Sequence, residues 1–165
     1  MKLIFKLALP MLIATSGVVQ AQTTVSAAQL PGTWLCKATF TTGNSNVNNI
    51  DGHAVYSANG TVTHADEWTQ TLLTGESIVM QTKLAGRWRF EPSTNKLLET
   101  ITSANVTYDA KNQLANTVGA QTQRSYQDVL NKEQSTLTVR LNQKEWIAML
   151  GNPTQNPIII NCMRG

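Results

Sequence analysis

Apolar and polar residues alternate with a period of two in several short runs, separated by clusters of turn-forming residues. This is the pattern of half-buried strands. The clearest run is 77–91, where Ile78, Met80, Leu84, Trp88 and Phe90 fall on one face. Further strands are expected at 33–41, on both sides of Asn59-Gly60, at 96–109 (with weaker alternation), at 135–141, at 144–149 and at 157–163. Asn59-Gly60 suits a two-residue hairpin turn because both residues tolerate positive φ. With Ala58 opposite Thr61, His53 falls across from Asp66 and Val55 across from His64. Residues 26–30 suit a short helical turn with Ser26 as its cap and Pro31-Gly32 ending it. Residues 110–131, rich in Asn, Gln, Ala and Gly, read as a long connection or flap, with at most a short helix near 125–130. The expected fold class is therefore all-β: an antiparallel meander of seven or eight strands preceded by a short helical turn.

The N-terminus changes the picture of where this domain works. Lys2 and Lys6 precede a largely apolar run at 7–19, and Val19-Gln20-Ala21 places small residues at a cleavage position. These are the parts of a secretory signal peptide, expected to be removed as residues 1–21. The apolar run is shorter than the roughly 20 residues that cross a bilayer. The mature domain, 22–165, is expected to be periplasmic or secreted, with no membrane span; the short, plain leader suits a bacterial periplasm better.

Two cysteines in an exported chain are expected to pair, and neither stands in a metal-binding spacing. A Cys36–Cys162 disulfide follows, with a stabilisation of roughly 4–5 kcal/mol for so long a loop. Losing Lys2 and Lys6 takes the 13 basic residues to 11 against 10 acidic ones, a net charge of +1 without any charge block. Nucleic acid and anionic lipid are thereby disfavoured as partners.

Gly32-Thr33-Trp34 opens the first strand after a helical turn, and Cys162-Met163-Arg164 ends the last. With Tyr56-Ser57-Ala58-Asn59-Gly60-Thr61 and Gly86-Arg87-Trp88-Arg89-Phe90, the chain resembles small bacterial exported proteins of the lipocalin-like, or calycin, superfamily. The resemblance implies an eight-stranded barrel in which Gly32 and Trp34 pack at the closed end and Arg164 lies over the indole. The disulfide agrees with this. If Cys36 and Cys162 are direct antiparallel neighbours, Trp34 falls opposite Arg164, and the first strand joins the last.

The candidate chemistry is sparse. His53, His64 and Asp66 share a face in the expected hairpin register and could ligate zinc, but a cross-strand His–carboxylate pair on a polar face is the favoured reading. No Gly-x-Ser-x-Gly, paired acids on one face or phosphate-cradling glycine loop occurs, so an enzyme is not expected and no cofactor is called for. The resemblance implies a non-enzymatic binding protein for a small apolar or amphipathic ligand. Ile78, Met80, Trp88, Phe90, Val139 and Leu141 are its expected lining, unless these side chains simply fill the barrel. The alternative is a periplasmic inhibitor or immunity protein, its protein partner being a cell-wall hydrolase or toxin met by an exposed loop at 110–131.

Overall fold

The computed structural model describes residues 25–42 and 45–165; the expected leader at 1–21 lies outside the described residues. A 3-10 turn at Ala27–Gln29 precedes eight strands: β1 Gly32–Thr41, β2 Val47–Tyr56, β3 Thr61–Thr71, β4 Ser77–Glu91, β5 Lys96–Tyr108, β6 Glu133–Leu141, β7 Glu145–Leu150 and β8 Ile158–Arg164. One helix, α1 Gln113–Val129, lies between β5 and β6. Each strand pairs with the next, and β1 pairs with β8, so the sheet is a closed eight-stranded antiparallel barrel. The all-β expectation holds. Among the described residues no helix is long and apolar enough to cross a membrane.

Closure is made by β1 and β8, and the covalent bond lies in that seam: Cys36 and Cys162 are direct neighbours and form the disulfide. Two residues away, Trp34 pairs with Arg164, whose Cζ sits 4.2 Å from the indole centroid. Trp34 is fully buried, and its Nε1 donates to Leu30 O at 2.8 Å. Arg164 in turn donates to Pro31 O at 2.8 Å, to Gln143 O at 2.9 Å and to Gln29 O. The guanidinium thus fastens the N-terminal turn across the barrel's closed end. Ser26 stands at the start of that turn but its side chain makes no capping bond; backbone bonds from Gln29 N to Ser26 O and Leu30 N to Ala27 O close it.

Two apolar clusters fill the barrel. At the closed end Leu30, Trp34, Tyr56, Leu97, Leu141 and Trp146 pack together, with Trp88 and Phe90 against them. At the other end Ile78, Met80 and Val106 pack under α1, through Leu114, Ala115, Val118 and Tyr126.

Helix α1 corrects the expectation of a flap or inserting loop at 110–131. Asn112 caps it, its side chain accepting from Leu114 N at 2.9 Å and Ala115 N at 3.0 Å, which satisfies two of the free amides at a helix start. Gly119 lets the helix press onto β5: a Cβ there would lie 2.2 Å from the Tyr108 ring. The helix also covers a gap in the wall. β5 pairs with β6 only over Lys96–Thr100, leaving its second half paired on one side alone. Gln123 reaches down and acts as a substitute strand, accepting from Val106 N at 2.8 Å and donating to Ala104 O at 3.3 Å. Two backbone groups of the open edge are satisfied in this way without a ninth strand.

The β2–β3 hairpin differs from the expected register by one residue. Ser57 N donates to Thr61 O and Gly60 N to Ser57 O, with Gly60 at φ +82°. The loop therefore has three residues, Ala58-Asn59-Gly60, of which the last takes the left-handed conformation. Tyr56 pairs with Val62, Ala54 with His64, His53 with Ala65 and Gly52 with Asp66.

Candidate functional site in the barrel interior

A one-residue register change exchanges the faces of a strand. His64 and Asp66 accordingly point into the barrel with Tyr56 and Ala54, while His53 is exposed on the outside. The expected His53–His64–Asp66 set is thus not assembled. Among the described residues no group of three or more His, Cys, Asp or Glu side chains is placed to hold a metal.

What His64 meets instead is Glu99, on β5. This strand carries a bulge: Ala85 pairs with Ser103 and Gly86 with Ile101, so Thr102 has no opposite residue. Gly86 makes room for it, since a Cβ at 86 would lie 2.3 Å from Thr100 O. The bulge reverses the inward set along β5, from Val106 and Tyr108 to Ile101, Glu99 and Leu97. Glu99 is thereby delivered to the middle of the barrel, where its Oε1 accepts from Tyr56 Oη at 2.9 Å and lies 3.0 Å from His64 Nε2. Nearby, Thr82 Oγ1 donates to Asp66 Oδ2 at 3.5 Å.

Burial and the charges buried with it set the protonation of this centre. Burial, followed by the charge and hydrogen bond of Glu99, raises the Tyr56 phenol well above its ordinary 10.0 and keeps it a donor. Burial also raises the Asp66 carboxyl, against the opposing influence of His64 and Thr82. For His64 burial is the largest single influence and lowers the value. The hydrogen bond and charge of Glu99, with the charge of Asp66, together outweigh it, so the imidazole lies above 6.5. A raised histidine value means that the contribution of the His64–Glu99 pair to stability is complete below about pH 6.5 and is lost as pH rises through the folded value. An NMR titration of the His64 ring should give an inflection above 6.5, and Glu99→Gln should move it down. An unmoved inflection would show that Glu99 does not hold the imidazolium.

Beside these groups lies a cavity of about 130 Å³ with apolar walls from Ala38, Ile50, Ala54, Leu97 and Ile160, and with Tyr56, His64, Asp66, Glu99 and Trp146 also lining it. Both close contacts to Glu99 use Oε1, so Oε2 remains as an acceptor. The arrangement can hold a small molecule by its apolar body while a carboxylate oxygen takes its donor.

The six residues expected to line a ligand do not converge on this space. Trp88, Phe90 and Leu141 belong to the closed-end cluster, and Ile78 and Met80 to the cluster beneath α1. Trp88 Nε1 donates to Ser57 O at 3.0 Å, and its ring meets Tyr56 edge-on. Val139 is 52% exposed, because β6 breaks register between Thr138 and Arg140 and turns it outward. Glu99 is not among the residues expected from sequence; the available signal was an acidic residue within the largely apolar run Leu97-Leu98-Glu99-Thr100-Ile101. Neither protein-family models nor curated proteins give a match to this chain.

Proposed function

We propose that this is an exported, lipocalin-like, non-enzymatic binding protein, periplasmic or secreted, that holds one small amphipathic molecule in the middle of its barrel. The observation that carries the reading is the Tyr56–Glu99–His64 centre set beside a cavity whose apolar walls include Ala38, Ile50, Ala54, Leu97 and Ile160. A barrel needing only to be filled would place aliphatic side chains there, since buried polar groups cost stability unless fully paired. The leader-like N-terminus and the Cys36–Cys162 disulfide support export. The cavity's volume resembles that of an engineered apolar cavity, about 150 Å³, that accepts benzene. The preferred ligand is thus of single-ring size with a donating hydroxyl or amino group.

Titration calorimetry with benzyl alcohol, benzylamine and benzoate tests this. The alcohol and the amine should bind, and benzoate should fail because it brings a second carboxylate to Glu99 and Asp66. Ala54→Leu, which fills the cavity from β2, should abolish binding in a protein that remains folded by circular dichroism. Absence of binding by all three probes, or binding unchanged by Ala54→Leu, would remove the reading.

A further inference from the structure

A second cavity, of about 380 Å³, opens between α1 and residues of β1, β2 and β3. It lies at the opposite end of the barrel from Trp34. Its sheet wall includes Phe40, Asn48, Trp68 and Gln70, and its helix wall includes Gln121 and Thr122. None of the side chains lining it carries a charge.

The polar groups in this groove are not all spent on the protein. Thr122 Oγ1 donates to Val118 O at 3.0 Å and Ser125 Oγ to Gln121 O at 3.1 Å, so these hydroxyls are engaged by the helix itself. The amides are different. Asn48 is only 4% exposed, and its Nδ2 donates to Asn46 O at 3.3 Å, which leaves Oδ1 without a partner among the described residues. A nearly buried amide with one of its four hydrogen-bonding positions engaged offers its oxygen to an occupant that can donate to it. Gln70 and Gln121 bring two further amides to the same space. Beside them Phe40 and Trp68 form an aromatic wall, packed edge to face with centroids 6.0 Å apart.

We propose that this groove binds a neutral saccharide, of one or two rings. The walls discriminate between chemical classes. An ionic ligand would surrender its hydration with no counter-charge to meet it. A hydrocarbon would cover Asn48, Gln70 and Gln121 and leave their amides unsatisfied. A sugar hydroxyl is both donor and acceptor and matches an amide in either sense. The C–H face of a pyranose supplies the apolar surface that an aromatic wall takes. The volume falls within the roughly 300–1,000 Å³ of small-molecule sites.

The test is two-dimensional NMR of the ¹⁵N-labelled, disulfide-formed protein, following the indole N–H resonances of Trp34, Trp68, Trp88 and Trp146. Glucose, N-acetylglucosamine and maltose are titrated to tens of millimolar, with glucose 6-phosphate and trialanine as charged and peptide comparisons. At least one neutral sugar should give a saturable shift of the Trp68 indole with the other three unmoved, and glucose 6-phosphate should bind more weakly than glucose. Gln121→Ala, on the exposed side of α1, should weaken sugar binding about tenfold without loss of fold; Asn48→Leu should do at least as much. The proposal is overturned if no neutral sugar gives a saturable Trp68 shift, if the shift survives Gln121→Ala undiminished, or if trialanine binds there more tightly than the sugars.

Discussion

Replacing Cys36 and Cys162 together by alanine should lower the unfolding free energy by about 5 kcal/mol, the value the chain-entropy relation assigns to a loop closed over 126 residues. That is comparable to the whole stability of many small domains. The position of the bond makes the effect large. β1 and β8 pair over five residues only, against ten for β1 and β2, so the seam that closes the barrel is short. It also joins the first strand to the last, where the chain must find its most distant partner without help from a turn. Urea unfolding of the oxidised protein and the double variant, followed by far-ultraviolet circular dichroism, reads the difference directly. A loss below about 2 kcal/mol would mean that the unfolded chain is already compact enough for the bond to restrict little.

Trp34→Ala should cost about 4 kcal/mol, within the range for removing a large buried aromatic side chain. Four consequences add at this site. The side chain is completely buried, so its removal leaves a cavity beneath the N-terminal turn. Leu30 O loses the indole donor, and Arg164 loses the ring over which it is stacked. The edge contact with Trp146, at 5.9 Å between centroids, also goes. Trp34→Phe should recover much of the loss, because it restores ring volume but not the hydrogen bond to Leu30. The same urea experiment separates the cases. Equal losses for alanine and phenylalanine would assign the role to the indole N–H and not to packing. Since Trp34 and Cys36 occupy one seam, the two sets of losses should not be additive.

The legibility of this barrel from its amino acids follows the strength of the alternation. β4 has an uninterrupted inward set from Ile78 to Leu84, followed by Trp88 and Phe90, and its limits coincide with those expected. The pairings Cys36–Cys162 and Trp34–Arg164 were legible too, because a disulfide fixes register at one point and antiparallel geometry carries it outward. The site was harder to read. Its register depends on whether Asn59-Gly60 forms the whole loop or the end of a longer one, and Ala58 alone carries no signal for that choice. That single residue decides whether His53 or Ala54 shares a face with His64 and Asp66. Glu99 was concealed by the Thr102 bulge, across which no strict period of two can be followed.

Helix α1 was obscured for a different reason. Its inward side uses Ala115 and Gly119, small residues whose value lies in allowing close approach, so the segment looks polar and irregular in composition. The Asn112 cap was its clearest marker.

The manner in which α1 completes the wall has one more consequence. Every other boundary between adjacent elements of the barrel is a ladder of backbone bonds, whereas this one rests on the side chain of Gln123 and on the apolar contacts around it. The helix is therefore a panel held by side chains in an otherwise riveted drum. The strand ladders do not depend on it, and the stretch of wall it covers lies at the side of the molecule, far from the covalent seam.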